Sequence, residues 1–320
     1  MSLSKFFKLL YNELFKTYIR KSTWVMYIVL LAIIIGGAVI TSIFEDEIVT
    51  SYSDDNWQEE LTQENEKLIQ ESEEEGGYIA EMNSSTISKN NFHLDNDIKP
   101  LGYGAWQYTY ENASLLSLVS LFTIIIGAGI VSSEFKWGTI KLLLIRPISR
   151  TMILLTKFVA VLVFALITLI FTLLSSLLVG AIFFGFEGFD PYFVTSTING
   201  YEHLSLVGET FSSYGYNIVN LIMMTTFAFM VSTIFRNNSL AIGLAIFLML
   251  SGNMIVAAFQ KYDFAKYILF ANTDLKQYET GDVWIEGMTL GFSVTVLIVY
   301  FVLFMALSWM FFNKRDVAGH

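Results

Sequence analysis

The chain contains no cysteine, only three histidines and three prolines, and no glycine followed by lysine, and just 15% of its 320 residues are charged. Without cysteine there is no disulfide framework and no thiolate metal site. The phosphate-cradling loop of nucleotide hydrolases needs Gly-Lys-Ser/Thr, so this chain carries no such loop. His93 stands near Asp95 and Asp97, but this short acidic stretch reads as solvated rather than as a metal site, and His203 and His320 lack ligand neighbours. No metal, no bound cofactor and no nucleic-acid partner is expected.

The shortfall of charge, against roughly 25% in a soluble domain, points to lipid as the solvent. Hydrophobic residues make up 54% of the chain, gathered into uncharged blocks long enough to cross about 30 Å of hydrocarbon. The expected fold is an all-α integral membrane protein with six transmembrane helices, at 23–44, 113–133, 158–186, 218–235, 239–260 and 287–313. Residues 1–22 form an amphipathic helix with Leu3, Phe6, Phe7, Leu10, Leu14 and Tyr18 on one face and lysines around the rest, which suits a membrane surface.

Orientation follows from basic residues in short segments. They gather in 1–22, in the loop 134–157 (Lys136, Lys141, Arg146, Arg150, Lys157), at Arg236 in the turn 236–238, and at Lys314 and Arg315 in the tail 314–320. That side is expected to be the cytoplasm of a bacterial cell, with both termini inside and the chain in the plasma membrane. Segments 45–112, 187–217 and 261–286 then lie outside.

Segment 45–112 holds most of the excess acid behind the net charge of −10. Asp54 or Asp55 can cap a helix bearing Trp57, Leu61 and Leu68 on one face, so a partly helical extracellular domain is expected. That helix either pairs with a second subunit or folds back on Tyr78, Phe92 and Trp106. Tyr103, Trp106, Tyr108 and Tyr110 precede span two, where amphipathic aromatics settle at headgroup level.

None of the six blocks contains Asp, Glu, Lys, Arg or His, the residues that couple secondary transporters to ion gradients. At depth there are only amides and hydroxyls, among which Asn217, Asn220 and Asn253 are the candidates to line a substrate path; helix-to-helix hydrogen bonding is the alternative use. Ser176 to Gly180 and Gly287 to Gly291 have the small-residue spacing that lets helices approach closely.

The sharpest motif is the loop reading Ser132-Ser133-Glu134-Phe135-Lys136-Trp137-Gly138-Thr139-Ile140-Lys141-Leu142-Leu143-Leu144-Ile145-Arg146-Pro147-Ile148-Ser149-Arg150. Thr139 to Ile145 can form a short helix, with Gly138 relaxing the backbone before it and Pro147 stopping it. Its apolar residues can enter a groove on a partner, and its charges can pair with that partner or with lipid phosphates. The loop resembles the first cytoplasmic loop of ATP-binding-cassette permeases of the second exporter type, in its acidic residue, Gly-Thr pair, leucine run and Pro-x-Ser-Arg ending. The basic amphipathic start, the large segment after span one and the ending Phe312-Asn313-Lys314-Arg315-Asp316 are similar to that family as well.

The resemblance implies a permease dimer, of identical or related chains, driven by separate ATPase subunits that bind the ATP and Mg. It places ATPase docking at Glu134, Phe135, Trp137, Gly138, Thr139, Ile140, Leu143, Leu144, Arg146, Pro147, Ser149 and Arg150, and a re-entrant element in 261–286. The expected function is export of an amphipathic or hydrophobic compound such as an antimicrobial peptide, toxin or antibiotic. The alternative is a membrane sensor with an extracellular ligand-binding domain. An intramembrane hydrolase is disfavoured, because no nucleophile and base lie together at depth.

Overall fold

The computed structural model describes residues 3–44, 52–53, 55–139, 148–235 and 238–314. Helix α1 (Leu3–Tyr18) is joined by a sharp turn to α2 (Lys21–Ile43). The start of α2 satisfies carbonyls at the end of α1: Thr23 Oγ1 donates to Thr17 O at 2.6 Å and Trp24 Nε1 to Tyr18 O at 2.9 Å. Helices α3 (Trp57–Glu75) and α4 (Gly77–Asp95) follow, then α5 (Ala105–Glu111), a 3-10 turn at Asn112–Leu115 and α6 (Leu116–Lys136). Helix α7 (Arg150–Phe184) leads to strands β1 (Tyr192–Thr197) and β2 (Gly200–Ser205), and then to α8 (Leu206–Ile234) and α9 (Asn238–Phe259). A 3-10 turn at Asp263–Tyr267 and two short helices, α10 (Leu269–Asn272) and α11 (Gln277–Thr280), precede α12 (Leu290–Lys314).

Six of these segments are long and apolar enough to cross a membrane: α2, α5 continued through α6, α7, α8, α9 and α12. The chain is therefore a multi-pass membrane protein. Helices α6 and α8 are the most buried and form the centre, whereas α2, α9 and α12 keep most of their surface outward. On α2, Leu30, Ile34 and Ala38 repeat every four residues and face inward, while Ile28, Ile35 and Val39 remain exposed, as a lipid-facing helix requires. Ser232 Oγ on α8 receives the backbone N–H groups of Val131 and Ser132 at 3.2 and 3.1 Å, joining the two central helices.

Several helices overrun their apolar blocks. Span two begins near Ala105 rather than 113, α7 at Arg150 rather than 158, and α8 at Leu206 rather than 218. Their polar ends stay helical because caps and packing satisfy them: Ser149 accepts the N–H of Met152, and Ser205 that of Gly208. At the loop expected over 134–157, α6 runs on to Lys136 and α7 starts at Arg150.

A second correction to the all-α expectation is the antiparallel pair β1–β2, running from Tyr192↔Ser205 to Thr197↔Gly200. Gly200 takes φ 106°, which closes the turn after Asn199. Helices α3 and α4 form an antiparallel pair turned at Gly76 and Gly77, with Asn65 bonded to Asn90 and Asn91 and Asn83 to Leu68 O. The first outer helix thus folds back on its successor rather than on Trp106. It starts after Asn56 with no side-chain cap from Asp55, and Asp54 is outside the described residues.

Trp106 and Tyr108 are buried in the protein. Trp106 Nε1 donates to Gly188 O at 2.9 Å, and the Tyr108 hydroxyl reaches the carbonyl of Ile34. Space for them exists because Gly180 on α7 lets the backbone of α5 close in: a Cβ there would lie 3.0 Å from Ala105 Cα. The second small pair does not act this way, since Gly287 precedes α12 and nothing lies within 4 Å of a Cβ at Gly287 or Gly291.

Candidate functional site

At one end of the bundle α1, the root of the loop after α6, the start of α7 and the end of α12 come together. Two apolar stripes run along α1. Leu10 and Leu14 pack on Ile130, Val131, Ile153, Phe158 and Phe312, while Leu3, Phe7, Tyr11 and Phe15 are exposed. The single face expected for α1 is therefore split between the bundle and the surroundings.

Under α1 lies a closed ionic cluster. Lys157, 1% exposed, donates to Glu13 Oε2 at 2.7 Å, Glu134 Oε1 at 3.1 Å and Ile130 O at 3.2 Å, so all three of its ammonium hydrogens have acceptors. Lys16 bridges the same two carboxylates at 3.1 and 3.2 Å. Two acids and two lysines leave no net charge, which permits burial. Burial pulls the Lys16 ammonium down, but the carboxylates of Glu13 and Glu134 outweigh it and hold its pKa above the ordinary value.

The cluster reaches into the loop, because Thr139 Oγ1 donates to the Glu134 carboxylate. At the loop's far side Ser149 caps α7, and Arg150 Nη1 donates to Asn313 O at 2.8 Å at the end of α12. Phe135 packs inside, Gly138 adopts φ 70°, and Trp137 stands 77% exposed. Glu134, Thr139, Ser149 and Arg150 thus bond within the chain, and Trp137 projects from it. Ile140, Leu143, Leu144, Arg146 and Pro147 lie outside the described residues, as do Arg236 and the tail from Arg315.

The sequence reading missed Glu13 and misplaced Lys157 as a loop charge. Both left a signal: Glu13 is the sole acid in a basic helix, and Lys157 sits inside an otherwise uncharged, mostly apolar stretch from Met152 to Ala160.

Toward the opposite end, Asn217, Asn220 and Asn253 come together on one cavity of about 630 Å³ between α6, α8, α9 and the segment after α9. Ser117, Ser120 and Gln277 add polar wall, and Met224, Met249 and Phe270 add apolar wall. Asn217 Nδ2 bonds Ser213 O at 2.9 Å, whereas the buried Oδ1 of Asn220 has no hydrogen-bond partner. The segment after α9 is tucked in by its own amides: Asn272 donates to Lys266 O and Ile268 O and accepts from Ser293, and Gln277 donates to Ala271 O. These bonds explain how a charged stretch packs against the helices.

A second cavity, of about 500 Å³, lies between α4, α5 and the β-hairpin and is lined by Lys89, His93, Tyr103 and Tyr201. His93 is buried, with Nδ1 at 2.8 Å from Ile98 O, and burial is the main cause holding its pKa below the ordinary value. Asp97 instead accepts from Gln58, so His93, Asp95 and Asp97 do not converge. Among the described residues no three His, Asp or Glu side chains are placed to hold a metal ion.

Residues 76–318 match the model of a family described as "Protein of unknown function (DUF2705)". The chain belongs to this family. It is 40% identical over 316 residues to the uncharacterized protein YhcI of Bacillus subtilis, covering 97% of this chain and 99% of that one. It is also 32% identical over 213 residues, 66% of this chain and 82% of the relative, to a Bacillus subtilis protein described as the uncharacterized membrane protein YdbK. The family match takes in the 630 Å³ cavity, Glu134 and Lys157, while Glu13 and Lys16 precede it and fall within the nearly full-length similarity to YhcI.

Proposed function

We propose that this chain is the permease subunit of an ATP-driven exporter. The observation that carries the reading is the loop after α6: its sequence resembles the ATPase-docking loop of such permeases, and its two ends are anchored to α1, α7 and α12. A docked partner can pull on membrane helices only through a loop whose ends do not give. The basic residues around this end support a cytoplasmic orientation for it and for both termini, in the plasma membrane of a bacterial cell. ATP and Mg bind the separate ATPase subunits, and a second permease completes the path.

The cargo is an amphipathic or hydrophobic compound, an antimicrobial peptide, toxin or antibiotic, passing the cavity of Asn217, Asn220 and Asn253. The ionisable groups that the long helices do bury near the loop are paired and neutral as a set, which suits a mechanical joint better than an ion-coupling site. In vesicles containing the whole complex, transport should need ATP and survive collapse of proton and sodium gradients. Loss of transport on adding an ionophore at constant ATP would overturn the reading. A membrane sensor is the second reading, favoured by the 500 Å³ outer cavity; it requires no ATPase at the loop.

A further inference from the structure

The 630 Å³ cavity has a chemistry that selects its occupant. Lys276 is the sole basic residue among those lining it, and its ammonium donates to Tyr110 OH at 3.0 Å and Ser213 Oγ at 3.1 Å and lies 4.7 Å from the centre of the Tyr110 ring. Its one positive charge stands against the carboxylates of Asp274 and Asp282 on the same lining, so an anionic ligand meets walls of net negative charge.

Acceptors, in contrast, are in surplus. The buried Asn220 Oδ1 lacks a donor, and Asn217 spends its Nδ2 on Ser213 O, leaving its own oxygen for a guest. Asp274 and Asp282 stand on the same lining. Asp274 accepts the backbone N–H of Lys276 at 3.1 Å, and no ion pair to either carboxylate is present among the described residues. Both carboxylates are exposed at the rim of the cavity, where a cationic head meets them on entry. Tyr216 and Trp284 add rings that can face a cation, and Met224, Met249, Leu250 and Phe270 offer adaptable apolar surface.

We infer that this cavity is a binding site for cationic amphiphiles, compounds with a protonated amine head and an apolar body. The amine would take the acidic, acceptor-rich side with Asn220 Oδ1, Asp274 and Asp282, and the body the methionine and phenylalanine side. A volume of about 630 Å³ is that of a site for a drug-sized ligand or one segment of a longer one. The inference deepens the permease reading, on which it rests for its role, by naming the cargo class.

The test uses the purified full-length chain in lipid nanodiscs with no ATPase present, so that binding is read apart from coupling. Three dansyl probes of matched length are compared by energy transfer from tryptophan: dansylcadaverine with its free amine, its N-acetylated neutral form and its succinylated anionic form. The amine probe should bind saturably and about tenfold more tightly than the succinylated one. Asp274→Asn with Asp282→Asn should cost the amine probe about five- to tenfold and leave the acetylated probe unchanged. Asn220→Asp, nearly isosteric, should strengthen the amine probe and weaken the succinylated one. Met249→Trp, filling the cavity, should abolish saturable binding of every probe; should that variant misfold, the rim pair and Asn220→Asp still decide. Equal binding of amine and succinylated probes, or amine binding indifferent to the rim pair, would overturn the inference. Such a failure would leave the permease reading standing, because ATPase capture at the loop tests that separately.

Discussion

Replacing Lys157 by methionine should release α1 without unfolding the bundle. Lys157 supplies the short contacts to Glu13 and Glu134, at 2.7 and 3.1 Å, and its loss leaves two carboxylates sharing the half-exposed Lys16 alone. Breaking a buried pair by removing one partner costs about 3–5 kcal/mol. The helices α6 and α7 are held by their own apolar contacts, so the cheapest relief is for α1 to swing out and carry Glu13 to water. At 1.4 kcal/mol per factor of ten, the population with α1 undocked should rise by about a hundredfold or more. Because the chain has no cysteine, Thr17→Cys, on the buried face of docked α1, gives a clean reporter. In nanodiscs its rate of maleimide labelling should rise by about that factor in the Lys157→Met background. Adding Glu13→Gln should recover much of the protection, since it removes one unpaired carboxylate. Labelling unchanged by Lys157→Met would refute the claim that the ionic cluster seats α1.

Three further outcomes follow from particular contacts. His93 has a pKa depressed by burial, so the unfolded domain takes up protons first as pH falls; the α3–α4 pair should lose stability below about pH 6.5, and His93→Gln should flatten that dependence in amide exchange. Gly180→Val should cost about 1–3 kcal/mol, seen as a lowered melting temperature in detergent, because its Cβ meets the backbone of Ala105, whereas Gly243→Val, with nothing within 4 Å, should be near neutral. Single cysteines at the exposed Ser84 and at Trp137 should label from opposite faces of the membrane, Ser84 from outside with an impermeant reagent; labelling of both from one face would overturn the orientation.

The six long helices were legible because uncharged blocks of that length have few other uses. Their ends were not: Arg150 to Lys157 reads as loop, and remains helical only because Ser149 caps it and Glu13 and Glu134 neutralise its lysine. Asn217, Asn220 and Asn253 could be singled out as polar residues at depth, and the cavity they share came from the structure. The pairing of Glu13 with Lys157 spans 144 positions, and no local pattern encodes it. The β-hairpin did have a signal, a run with Tyr192, Phe193, Val194, Thr195, Thr197 and Ile198 before Asn199-Gly200, too short and too polar to stand out beside the membrane-length blocks. Trp106 and Tyr108 show the opposite limit: aromatics beside a span look alike in sequence whether they face headgroups or fill a gap over Gly180.

The proposed role of the loop after α6 is to receive an ATPase. Its most direct test is a photo-crosslinking amino acid at Trp137, exposed and between the two anchored ends of the loop. In membranes of the native host, illumination should yield an adduct with a soluble protein carrying a Gly-x-x-x-x-Gly-Lys-Ser/Thr nucleotide site, and Leu143→Asp should abolish it at unchanged expression. Adducts with lipid alone, or an ATPase adduct indifferent to Leu143→Asp, would contradict the account.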